Sequence, residues 1–230
     1  MIADLDWWLK TDSGLLARVA IGAGIFAMLA VADLIRRGSD ATRWREYLFL
    51  AAAAACAMIY GLLNDRIASS ISWEYFYYGK GLDLQLGPYV PPDPWVLHWE
   101  ACKIGLKASW SVGLLVGVAL LIANNPRPKR RQLPYRHLLM LLPIVLVTTA
   151  IFAIIGGWIG SQGWLAWTSR ELQLTLRDDM FRPRRFMFVY GMNLGAYVGG
   201  AVATMGATIY IVRRRKLTED YSPQRRCLRL

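Results

Sequence analysis

The sequence predicts an all-α integral membrane bundle of about five transmembrane helices. Three observations predict it. Hydrophobic residues make up 55% of the chain and charged ones only 19%, where soluble domains carry about a quarter charged residues. The charges are excluded from five long blocks, as a bilayer requires when each crossing of ~30 Å of hydrocarbon takes about 20 apolar residues. The basic residues behind the formal net charge of +11 flank those blocks instead of lining one amphipathic face. That is the pattern of membrane orientation and speaks against nucleic acid as a partner.

The elements follow in order. A first span is expected at about residues 14–35, stopping at Arg36-Arg37. The second, at about 47–63, is the shortest and stops at Asn64-Asp65. A third covers about 104–123 and ends at Asn124-Asn125-Pro126, residue types that terminate helices. The fourth, about 137–158, contains Pro143, which lipid tolerates where neighbours satisfy the freed carbonyl, and which predicts a kink. The fifth covers about 186–212 and stops at Arg213-Arg214-Arg215-Lys216. The whole chain is then one membrane domain, with loops at 64–103 and 159–185 and a basic tail at 213–230.

Orientation is read from the loops. Arg36, Arg37, Arg43 and Arg45 follow the first span, and Arg127, Lys129, Arg130, Arg131 and Arg136 follow the third. With the basic tail they crowd short stretches on one side, whereas the opposite side spreads fewer basic residues over longer chain. The positive-inside rule therefore puts the N-terminus outside and the C-terminus in the cytoplasm. The acidic leader, with Asp4, Asp6 and Asp12, suits an external start, and the charged n-region of a cleavable signal peptide is missing. All tryptophans except Trp44 fall on or near the outer side. So lopsided an aromatic belt predicts outer loops that lie flat on the membrane or fold over the bundle.

Within the first outer loop, Pro88, Pro91, Pro92 and Pro94 favour extended, polyproline-like chain. In the second, Thr168-Ser169-Arg170-Glu171 is a capping-box pattern for a short helix. The alternation of Leu172, Leu174 and Leu176 suits a strand equally well. The stretch YGLLNDRIASSISWEYF resembles the signature of an uncharacterised family of bacterial polytopic membrane proteins, whose motif reads Asn-Asp-Gln followed by Ser-Pro-Glu-Tyr-Phe. The likeness continues through KIGLKASWSVGLLVG and MNLGAYVGG, with Arg66, Trp73 and Asn193 departing from the pattern (glutamine, proline and histidine, respectively). It implies fold, topology and a bacterial inner-membrane location, and no activity.

The candidate polar pocket is Asp65, Glu74, His98, Glu100, Lys103 and Lys107, all placed at the outer side. Glu100, Lys103 and Lys107 share one helical face by their spacing. Carboxylate, imidazole and ammonium together could bind a headgroup or do acid–base work. The bland alternative is that Asn64 and Asp65 cap a helix while the lysines snorkel. Serines 69, 70 and 72 lie near His98, but cap and turn roles are commoner for them and no nucleophile-elbow context surrounds them. His98 and His137 sit on opposite faces, so no imidazole-rich metal site is expected. Asp65, Glu74, Asp178 and Asp179 leave room only for a hard cation. Neither a metal nor a cofactor is expected. Cys56, Cys102 and Cys227 are too scattered to suggest a disulfide framework.

Small residues carry the strongest packing signal. Gly105, Ser109, Gly113 and Gly117 stripe the third span, and Gly191, Gly195 and Gly199, continued by Ala203 and Ala207, stripe the fifth. Such stripes let helix backbones approach where lipid supplies no hydrophobic drive. These features lead to a non-catalytic accessory or scaffold subunit, with other membrane subunits or a second copy as partners. A binder or carrier of lipid or small solutes through the outer pocket comes next. A membrane-embedded enzyme using Asp65, Glu74 or His98 comes third.

Overall fold

The computed structural model describes residues 12–38, 41, 43–87, 91–126, 132–165 and 182–220. Along the chain run α1 (Asp12–Arg37), α2 (Trp44–Ile71), a π-helical turn (Tyr75–Gly79), one turn of helix α3 (Asp83–Leu86), α4 (Pro94–Asn124), α5 (Tyr135–Ser161) and α6 (Pro183–Asp220). No strand occurs among the described residues. Among the described residues five helices are long and apolar enough to cross a membrane, with mean hydropathies from 1.4 to 2.8. The protein is an all-α, multi-pass membrane bundle.

Two helices extend well past their apolar cores. α2 continues two turns beyond Leu63 because its polar residues are satisfied within the helix. Asn64 Nδ2 donates to Asp65 Oδ1 (3.0 Å), and the hydroxyls of Ser69 and Ser70 donate to the Arg66 carbonyl (3.0 and 3.1 Å). Asn64 and Asp65 thus lie inside the helix and do not cap it. α4 begins ten residues before Ile104 because Asp93 is a true N-cap, its Oδ1 accepting from the Trp95 and Val96 amides at 2.8 and 3.1 Å. Pro94 takes the first helical position, where a missing N–H costs nothing, so it opens a helix where the prolines suggested extended chain. Pro143 sits inside an unbroken α5. The capping-box segment, the leucine alternation and Trp7, Trp8 and Trp167 lie outside the described residues.

The bundle is two antiparallel helix pairs. In the first, α2 and α4 meet along Gly61–Gly105, Ala53–Gly113 and Leu50–Gly117. In the second, α5 and α6 meet along Gly160–Gly191, Gly156–Gly195 and Phe152–Gly199. A Cβ placed on Gly105 would strike the Gly61 carbonyl, and one on Gly191 the Gly156 carbonyl. Only glycine permits backbones that close, and the gain is dispersion along the whole seam. α1 packs against α2 alone to any extent. Asp33 ties the two together, accepting the Arg43 amide at 2.9 Å and pairing with Arg37 at 3.4 Å.

Each end of the bundle has its own lock. At one end Asn124, fully buried, exchanges two hydrogen bonds with the Leu133 backbone (2.9 and 2.8 Å), closing the α4–α5 connection. Beside it, Arg215 on α6 is 3% exposed and donates to the carbonyls of Ala123 and Asn125 at 2.6 and 2.8 Å. These are among the carbonyls that a helix leaves unpaired at its C-terminus. At the other end the Trp73–Tyr78 segment folds inward. Tyr75, Phe76 and Tyr77 join Phe186, Met187, Leu97 and Ala101 in a buried aromatic cluster.

Candidate functional site

The two pairs are tight within themselves and looser against one another, and a cavity of about 660 Å³ lies between them, lined by α2, α4, α5 and α6. The volume falls in the ~300–1,000 Å³ range of small-molecule sites. On α2 the lining runs from Ala53 to Asp65, on the order of 18 Å at 1.5 Å per residue. That is more than half the ~30 Å thickness of a hydrocarbon core. One stretch of the slot is apolar, walled by Cys56, Val116, Leu142, Val145 and Met205. Toward the aromatic end it meets Tyr60, Asn64, Asp65, Asn193 and Tyr197. The cavity is therefore long, narrow and amphipathic along its length.

Asp65 stands where α2 would touch α4 if Gly105 carried a side chain: an added Cβ there would lie 2.9 Å from Asp65 Oδ2. Glycine at 105 thus makes room for the carboxylate as well as for the helix crossing. Asp65 is 6% exposed. Its single hydrogen bond among the described residues comes from Asn64. Nearby, the Tyr60 hydroxyl is buried and has no hydrogen-bond partner among them.

The other expected site residues go elsewhere. Glu74 is 1% exposed and accepts the Arg182 amide at 3.1 Å. It thereby sets a carboxylate at the N-terminus of α6, where the helix dipole favours it. His98 Nδ1 lies 2.8 Å from Ser69 Oγ. That hydroxyl also lies 3.0 Å from the Arg66 carbonyl, so it is shared between a backbone acceptor and the imidazole, and the imidazole tautomer sets which of the pair donates. Ser69 is itself 2% exposed, and the contact ties α2 to α4. Glu100 and Lys103 form an ion pair at 2.7 Å on one face of α4. Of the six expected site residues, only Asp65 lines the cavity; Glu74, His98, Glu100, Lys103 and Lys107 do not. Asp178 and Asp179 lie outside the described residues.

Tyr75 does not line the cavity but lies within electrostatic reach of two residues that do, Asp65 and Tyr197. Burial first, then the charge of Asp65 and the phenols of Tyr197 and Tyr190, hold its hydroxyl above the ordinary tyrosine range. Lys80 lies over its ring, 5.5 Å from the centroid. The SWEYF stretch is thus an aromatic plug at the end of the bundle where Asp65 lies, pinned by Glu74 to α6 and by Phe186 stacked edge-on against Tyr75 at 5.4 Å.

Reading the sequence did not single out Gly61, Tyr60, Thr149 or Thr204. Gly61 had a weak signal, being the one glycine in the second span. The threonines had none, since isolated hydroxyls in apolar helices commonly bond their own backbone.

The chain matches no protein-family model, and it has no significant similarity to a curated protein or to a solved structure.

Proposed function

We propose that this is a membrane protein that binds an amphipathic small molecule or lipid within its bundle, at the slot between the two helix pairs. One observation carries the reading: a 660 Å³ cavity that is apolar for most of its length and ends at a buried carboxylate. A purely structural subunit gains nothing from such a space, because a void forfeits the dispersion contacts that hold membrane helices together. The proposed setting is the bacterial inner membrane, within the family whose signature the NDR…SWEYF stretch resembles. The N-terminus lies outside and the tail in the cytoplasm, so the aromatic plug and the polar end of the slot face outward. The slot then runs inward from the outer headgroup zone, as a single lipid chain does.

Extraction in mild detergent followed by native mass spectrometry tests the reading. Wild-type protein should retain a bound amphiphile, and Thr204→Trp, which fills the slot from α6, should lose it while eluting as the same folded particle. Wild-type protein free of any adduct, or equal retention by the variant, would refute the proposal.

A further inference from the structure

Resting on that reading, we infer that the slot selects an amphiphile whose polar head is a cationic hydrogen-bond donor, a long-chain amine, with Asp65 as its counter-ion. The side chains lining the slot favour such a head. Ser109, Thr149 and Thr204 each donate their hydroxyl proton to a carbonyl of their own helix at 2.7 Å. Asn193 Nδ2 donates to the Val189 carbonyl at 3.1 Å and Asn64 Nδ2 to Asp65 at 3.0 Å. Those donations use up the protons of these three hydroxyls and one each from the amides, while Tyr60, Tyr197 and Thr208 add hydroxyls that can donate or accept. The oxygens remain, and they are acceptors. Among the described residues no lysine, arginine or histidine lines the slot, so no cation in its wall pairs with an anion. An incoming carboxylate or phosphate head would meet Asp65 as a like charge in a low-dielectric space.

An ammonium head meets the opposite situation. Asp65 makes no ion pair among the described residues. Lys80 is the one cation among them whose charge reaches it, without contact. A buried carboxylate with no cation in contact is costly in a membrane, and a cation beside it lowers that cost. An ammonium also supplies three donors to a wall rich in acceptors. The Tyr60 hydroxyl, buried and without a partner among the described residues, lines the same polar end and can accept one of them. The apolar stretch between Cys56 and Met205 then takes the chain.

The test uses the purified full chain in detergent and three probes of one chain length: hexadecylamine, hexadecanol and hexadecanoate. Affinities are read by competition against a radiolabelled hexadecyl probe. Thr204→Trp serves as a background for non-specific partition. Wild-type protein should bind the amine at least about tenfold tighter than the alcohol, with the carboxylate weakest. Asp65→Asn should bring the amine down to the level of the alcohol. Asp65→Glu should keep the preference, and Glu100→Gln, outside the slot, should leave the ranking unchanged. Equal affinity for amine and carboxylate in wild-type protein would overturn the head-group assignment and leave the slot standing, as would an unchanged amine affinity in Asp65→Asn. No binding of any probe above the Thr204→Trp background would overturn both.

Discussion

Replacing Gly195 by alanine adds one methyl group in the close-packed seam between α5 and α6. The new Cβ would strike the Phe152 carbonyl oxygen and come within 3.0 Å of the Phe152 carbonyl carbon and 3.1 Å of the Gly156 Cα. All three are backbone atoms, so no rotamer change relieves the clash and α5 must move away from α6. That separation weakens the neighbouring Gly156–Gly191 contact in the same seam. Overpacking of this kind costs about 1–3 kcal/mol. Alanine returns up to about 1 kcal/mol through its better helix propensity, so the expected net loss is up to about 2 kcal/mol. Gly206 lies on the same helix with nothing within 4 Å of its added Cβ, so Gly206→Ala keeps the propensity gain and pays no steric cost. Reversible unfolding in mixed micelles, followed by circular dichroism, measures both variants against wild type. Gly195→Ala should unfold at lower denaturant and Gly206→Ala at equal or higher denaturant. Equal stabilities for the two would refute the claim that the seam needs glycine.

Two further outcomes follow from the basic residues. Arg215→Ala removes two charge-assisted hydrogen bonds to the C-terminal carbonyls of α4 and should cost about 3 kcal/mol in the same unfolding assay. Arg215→Lys should recover only part of it, since an ammonium cannot reproduce the two-pronged guanidinium, and exposed Arg213→Ala should change stability by less than ~0.5 kcal/mol; a silent Arg215→Ala would show that this lock is dispensable. Topology reporters fused after Arg37, Arg131 and Lys216 should read cytoplasmic and those near Gly81 and Gln173 external, while a cytoplasmic signal at Gly81 would reverse the proposed orientation.

The sequence by itself determined the membrane class, the five spans and the glycine stripes, because these depend on local properties. Hydrocarbon imposes one length and one polarity on every crossing, and a four-residue glycine period is visible on a single helix. It missed the ends of α2 and α4, where polar side chains satisfy the backbone in ways that hydropathy does not register. Asn64-Asp65 read as a stop, yet the helix continues because those side chains bond each other and Ser69 and Ser70 bond back to Arg66. Pro94 read as extended chain, yet Asp93 caps a helix onto it.

Only the tertiary structure decided which stripe meets which. Gly105 faces Gly61 and Gly195 faces Gly156, and the run of alanines in α2 showed no face to choose between. In water, the buried face of a helix is its apolar one and can be read from the sequence. In lipid both faces are apolar, so burial depends on the shape of the partner helix. For the same reason Asp65 was legible as an unusual residue but not as the end wall of a slot. The six polar residues expected to share a pocket lie on the same side in sequence. The handedness and crossing of four helices turn Asp65 into the slot, Glu74 toward α6 and His98 onto Ser69.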